Sequence, residues 1–218
     1  MKVKYLVTLF ILSGVMAMGF YSPVDRFIDA KEVLKELLSM PENDAFKELL
    51  SKAQGIAFFP NVLKAGLVIG GQYGEGFVLR KKDGVWYGPL FLKLYKVSYG
   101  PQIGAQSIRL VLLIMNDTGF EGFTRDNITL GGSIGIAAGP VGRNLSADID
   151  YTLQAILSYS ISKGFFVGFT VEGSVIKIDY EANEVFYGNR SSAKELLETE
   201  VADSPELRSL LDIITNIE

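Results

Sequence analysis

The chain has 218 residues, 48% of them apolar, with 21 basic and 25 acidic side chains and a formal net charge of −4. That is enough apolar material for one sizeable domain with a small helical annex, and the acidic balance argues against nucleic acid as a partner, whose binders carry a basic excess. Zero Cys and zero His exclude disulfides, thiolate metal sites, Ser-His-Asp and Cys-His nucleophile pairs and any imidazole proton shuttle.

Most hydrolase mechanisms are removed by that absence. Carboxylate pairs stay formally open, but no spacing among the 25 acids singles out two of them. The expectation is a protein that is not an enzyme, with no cofactor and no metal.

At the start, Lys2 and Lys4 precede the almost wholly apolar run Tyr5 to Met16, and small residues follow at Ala17 and Gly19. This is the layout of a secretory signal peptide over residues 1–19. An uncleaved anchor is the alternative, although the run falls short of the roughly twenty apolar residues that span a bilayer. Export to a periplasmic or extracellular location follows, peripheral on a membrane. Cleavage would change the balance from 21 − 25 to 19 − 25, or −6.

Residues 20–54 read as helical. Phe27, Ala30, Leu34 and Leu37, widened by Val33 and Leu38, recur at helical spacing; Pro41 interrupts, and Phe46, Leu49, Leu50 and Ala53 form a second stripe. The polar face mixes Asp25, Asp29, Glu32 and Glu36 with Arg26, Lys31 and Lys35, as a solvated face does.

From residue 55 to 190 the pattern is that of strands. Ile56 to Phe59 is a short apolar run stopped by Pro60-Asn61, and Ala65 to Ile69 leads into GGQYGEG over residues 70–76. Gly71, Gly74 and Gly76 do not have the nucleotide-loop spacing and are followed by a strand, not the helix whose N-terminus would hold a phosphate. They predict strands that bend sharply or pack against another backbone. Asp83-Gly84 marks a hairpin. Leu110 to Met115 is continuously apolar, as in a strand buried on both faces.

Ile149 to Ile161 alternates over thirteen residues, about 40 Å if fully extended, so a bend is expected within it. Gly164 to Glu172 and Ser174 to Tyr180 read as further strands, and Glu181 to Glu184 as a turn into a strand at Val185 to Tyr187. Residues 191–218 return to helix, with a capping box at Ser192 and Glu195 and an N-cap with proline at Ser204-Pro205. The predicted fold is α+β and mainly β: an antiparallel, barrel-like sheet with flanking N- and C-terminal helices. An outer-membrane barrel is disfavoured because the chain finishes on a capped acidic helix, not a strand.

Between Ala53 and Gly188, AQGIAFFPNVLKAG (53–66), GGQYGEG (70–76), GVWYGP (84–89), YGPQIGAQS (99–107), LGGSIGIAAGPVGR (130–143) and YSISKGFFVGFTVEGSVI (159–176) stand in one order. In these stretches the chain resembles the SYLF domain family, of bacterial exported proteins and eukaryotic membrane and actin adaptors. The family commonly has serine after the tryptophan, where Tyr87 stands here. The resemblance implies a non-enzymatic domain that binds phospholipid or a membrane surface. With no adaptor module read in the sequence, the actin-linked role is not carried over. The alternative is a structural or scaffolding envelope protein that self-associates or binds a protein partner through sheet edges.

Arg80, Lys81 and Lys82 at the hairpin tip beside Trp86 form a candidate lipid-binding locus, since such cations pair with phosphate and an indole sits at membrane interfaces. A charged tip is more often an ordinary soluble turn, and Trp86 an ordinary core residue. Phe58 and Phe59 with Lys64 form a second candidate, set against two phenylalanines that simply serve opposite faces of a strand. Arg143, in the glycine-rich GPVGR, is an anion site or merely a turn.

Overall fold

The computed structural model describes residues 21–41, 43–66, 69–99, 104–125, 127–141, 153–162, 164–167, 169–201 and 203–217. The leader reading over residues 1–19 and the candidate Arg143 lie outside them. Two helices come first: α1 (Pro23–Ser39), capped by the Ser22 hydroxyl, and α2 (Asp44–Lys52). Their predicted stripes are the faces they bury, with Phe27, Ala30, Leu34, Leu37 and Phe46 at 0% exposure.

Four long strands follow: β1 (Gly55–Gly66), β2 (Ile69–Lys82), β3 (Val85–Tyr99) and β4 (Gly104–Ile114). A short helix α3 (Asp117–Phe123), strands β5 (Ile128–Thr129), β6 (Ile136–Ala138), β7 (Ile156–Ser162), β8 (Phe165–Phe166) and β9 (Val175–Ile178), and helices α4 (Tyr180–Tyr187), α5 (Ala193–Leu196) and α6 (Pro205–Thr215) complete the described chain. The sheet order is β5-β9-β3-β2-β1-β4-β7-β6, with β8 on β7, and it curls into a half-barrel. All pairs are antiparallel except β6 with β7, which is parallel.

Each face of the sheet carries its own core. One, with Ile56, Phe58, Phe77, Phe91, Val111 and Leu113, packs beneath α1, α2 and α6. The other, with Ala57, Phe59, Val78, Leu92, Leu110 and Leu112, packs beneath α3 and α5. Phe58 and Phe59 thus serve opposite faces. The hairpin at Asp83-Gly84 has both residues at positive φ, 53° and 78°, the backbone that a two-residue turn between twisted strands requires.

Three expectations are corrected. The stop at Pro60-Asn61 is a bulge, and β1 runs on to Gly66, its register shifting there against both neighbours. Of the thirteen-residue alternation, residues 149–152 lie outside the described residues; from Leu153 on, the strand is Ile156–Ser162, buried on both sides because Ser158 and Ser160 face into packed structure at 7% and 6% exposure; Leu153 is 77% exposed. Residues 180–187 form helix α4, not a turn and strand. Asp179 caps its start by accepting from Ala182 N, and Gly188, at φ 71°, ends it.

Candidate functional site

The site is built at the end of the sheet where β1 and β4 run past β7. Ladder pairing places Lys64 of β1 directly opposite Gln72 of β2 and Gln106 of β4, and Gln72 opposite Lys96 of β3. Directly paired residues point to one face, so Lys96, Gln72, Lys64 and Gln106 form a polar row across four strands. Val62, Leu94 and Ile108, two positions nearer the sheet centre, are apolar and buried. The row is where an apolar face turns polar.

After β8 the chain crosses this face as a strap. Val167 N donates to Ser160 O at 2.9 Å, and Lys96 Nζ donates to Thr170 O at 2.8 Å. Between strap and sheet lies a hollow of about 260 Å³, floored by the row and Ile108 and roofed by Val167, Phe169 and Thr170. Gln72 is only 6% exposed, and its Oε1 makes no hydrogen bond among the described residues. Burial, then the charge of nearby Lys64, lowers the Lys96 pKa; Glu172 pulls the other way. Neither lysine forms an ion pair among the described residues.

A wider hollow of about 960 Å³ adjoins it, lined by Ser107, Arg109, Ser162, Phe165 and Val167 among others. It lies along an edge. β4 pairs with β1 over its whole length, but with β7 only from Arg109 to Ile114. Gly104 to Ile108 therefore have no strand on that side among the described residues. Ser162 Oγ donates to Ser107 O at 3.4 Å, so the N–H and C=O of Ser107 face the open side, as both groups of one strand residue point the same way. Exposed apolar side chains cluster at the same end: Ile69 at 67%, Val97 at 83% and Phe165 at 74%.

Of the residues singled out from sequence, Lys64 stands in this site and the hairpin cations do not. Arg80 lies eight residues beyond Gln72, roughly 25 Å along the strand. Its guanidinium is 5.3 Å from the Phe120 ring centroid and 3.5 Å from an Asp117 carboxylate oxygen. Lys81 Nζ lies 5.9 Å from the centroid of the Trp86 ring, which packs against the helix-covered core; Lys82 is exposed at the tip. Gln72, Lys96 and Gln106 were missed. The available signal was parity: Gln72 shares its side of β2 with Gly74, Gly76 and the core residue Val78.

Among the described residues no three His, Cys, Asp or Glu side chains group to hold a metal, and no helix is long and apolar enough to cross a membrane. Among the described residues, a curled sheet flanked by helices thus carries a lysine- and glutamine-floored hollow beside an open strand edge. Residues 95–217 match the Ysc84 family, described as "Las17-binding protein actin regulator", and the chain belongs to that family, the one recognised from its motifs as SYLF. It is 32% identical over 212 residues to Protein YSC84 of Saccharomyces cerevisiae, covering 90% of this chain and 45% of that protein. It is 31% identical over 212 residues to LAS seventeen-binding protein 3 of the same yeast, covering 90% and 46%. Against SH3 domain-containing YSC84-like protein 1 of Rattus norvegicus, identity is 30% over 195 residues, covering 86% and 57%. The chain spans about half the length of the curated relatives it matches.

Proposed function

We propose that this chain is a non-catalytic docking domain that takes an extended segment of a protein partner onto the open edge of β4. The observation that carries the reading is the run Gly104 to Ile108, which pairs with β1 but has no strand on its other side among the described residues, along the larger hollow. An extended peptide adding to such an edge gains main-chain hydrogen bonds, and adjoining side-chain pockets select its sequence. Lys64 beside the edge favours an acid-bearing segment. The relatives support a protein partner: the family is described as an actin regulator that binds Las17, and one yeast relative is named for the same binding.

Ser107→Pro tests it. Proline removes the N–H facing the hollow and leaves the ladder to β1 intact, and a strand position whose N–H faces outward tolerates proline. Co-sedimentation with actin filaments and capture on immobilised Las17 are the two assays. Binding to at least one, reduced at least tenfold by Ser107→Pro but kept by Ser107→Ala, is the expected result. No binding to either probe, or binding indifferent to the proline, overturns the reading.

Lipid binding is the second reading, favoured by the apolar rim of Ile69, Val97 and Phe165 at the end that carries the lysines. Burying such side chains in acyl chains contributes roughly 1.5–3 kcal/mol each. Flotation with neutral vesicles should then be lost in Ile69→Asp with Val97→Asp; wild-type protein that stays at the bottom of the gradient removes this reading.

A further inference from the structure

We infer that two copies of this chain pack together through the apolar end of the sheet face that α1 covers. Ladder pairing sets two rows across four strands there: Tyr95, Tyr73, Leu63 and Ser107, then Val97, Gly71, Ala65 and Ala105, with Ile69 beyond Gly71 on β2. Both rows lie on the side that carries Phe91, Phe77 and Phe58 nearer the sheet centre, because residues two apart on a strand share a face and the bulge in β1 moves Leu63 onto it. α1 roofs the core but not the rows: it crosses the strands where Arg26 meets Glu75 and Glu36 meets Arg109. Beyond that line Val97 is 83% exposed, Ile69 67%, Leu63 40% and Tyr95 37%. An antiparallel sheet that faces water turns polar residues to it, and this face does not.

Charge and size select a second copy as the occupant. None of the row residues is charged. At the border Arg109 and Lys93 are held by Glu36 and Asp179, and Lys177 Nζ lies 6.0 Å from the Tyr95 ring centroid. Such a floor offers a charged partner no countercharge, whereas a copy of itself brings no like charges against it. Tyr73 and Tyr95 pack with ring centroids 5.2 Å apart, and the Tyr73 hydroxyl donates to Glu75, so the floor is ordered before contact. With strands about 4.8 Å apart and three same-face positions about 6.7 Å apart, it covers roughly 400 Å², the size of apolar patch that marks an interaction site. A stable pair buries roughly 800 Å² on each partner. α1 contributes the rest: a helix stands about 10 Å tall on its sheet, and two sheets stack face to face about 10 Å apart, so the strand ends of the second copy abut α1.

This face is distinct from the β4 edge, so the docking reading can fail without it. Sedimentation equilibrium of the full chain in lipid-free buffer, across the micromolar range, is the test. A monomer–dimer equilibrium is expected, weakened at least tenfold in Val97→Asp and in Ile69→Asp and unchanged in Lys82→Glu at the far hairpin tip. Both aspartates replace exposed side chains, so their Tm stays at the wild-type value and lost association is not lost folding. Ser107→Pro, which blocks docking, keeps the dimer, so failure of the one reading is told apart from failure of the other. A dimer lost in Ser107→Pro but kept in Val97→Asp identifies pairing of β4 edges and overturns the inference. So does a chain that stays monomeric throughout that range, or a dimer that both aspartate variants retain.

Discussion

Replacing Asp179 with Asn is expected to destabilise the domain by about 3–5 kcal/mol, the cost of removing one partner from a buried ion pair. Asp179 is 2% exposed and holds two cations: Arg26 Nη2 donates to Oδ2 at 2.8 Å, and Lys93 Nζ to Oδ1 at 2.9 Å. Arg26, 1% exposed, also donates to Glu75 Oε2 at 2.8 Å and to the Gly76 carbonyl at 3.3 Å. One guanidinium thus ties α1 to β2 and to the start of α4. With Asp179 neutral, Arg26 and Lys93 are left with Glu75 as the remaining acid of the network. Asp179→Ala adds loss of the α4 cap, about 1 kcal/mol more. Urea unfolding measures both. The double variant Arg26→Met with Asp179→Asn should lose less than the sum of the single losses, because the stranded charge is gone. Additivity within about 0.5 kcal/mol would show that the two residues do not act together.

The same network sets a pH window. Burial pushes the Asp179 carboxyl up, but hydrogen bonds from Lys93 and Arg26 outweigh it and hold its pKa below the ordinary value. A carboxyl depressed in the folded state contributes stability above its unfolded pKa, near 4, and that stability is lost as pH falls through the folded value. For Lys93, burial acts downward but Asp179 prevails and the pKa is raised. Its contribution is fully present below about pH 10.4 and is lost as pH rises through the folded value. Asp179→Asn should therefore flatten both limbs of the stability profile.

What the sequence disclosed and what it hid divide along a physical line. The stripes of α1 and α2, the caps at Ser192 and Ser204 and the Asp83-Gly84 turn depend on residues within a turn or two of one another, and all are present in the fold. The row Lys96-Gln72-Lys64-Gln106 depends on pairing between four strands, and a bulge at Pro60-Asn61 shifts the register of β1 before Lys64 is reached. No local pattern encodes that shift. Helix α4 is a different case: an Asp cap and a terminal Gly bracket it, but the consecutive Val185-Phe186-Tyr187 reads equally as strand. Tertiary contacts settled it, as Asn183 Oδ1 accepts from Phe91 N at 3.0 Å and its amide donates to Phe91 O at 3.1 Å.

Two glycines of GGQYGEG should respond to the same substitution with opposite sign. A Cβ on Gly76 would sit 2.0 Å from the carbonyl oxygen of Phe58 and 2.7 Å from the Phe59 ring. The first obstacle is backbone in the neighbouring strand, at the point where β1 bulges, so it cannot swing aside as a side chain would. Gly76→Ala must push β1 and β2 apart between two packed cores. The expected cost is at the upper end for overpacking, about 3 kcal/mol, read as a lower urea midpoint at unchanged m-value. Gly71 sits on the opposite face of the same strand, exposed, where a Cβ would find nothing closer than the Lys96 carbonyl oxygen at 4.0 Å. Gly71→Ala restricts the unfolded chain at no steric cost and should stabilise by about 0.5–1 kcal/mol. Close approach of two backbones, and not conformational freedom, is then what requires glycine at position 76. Equal effects at the two positions would show that these glycines are set by chain flexibility instead, and that the half-barrel does not need the strands this close.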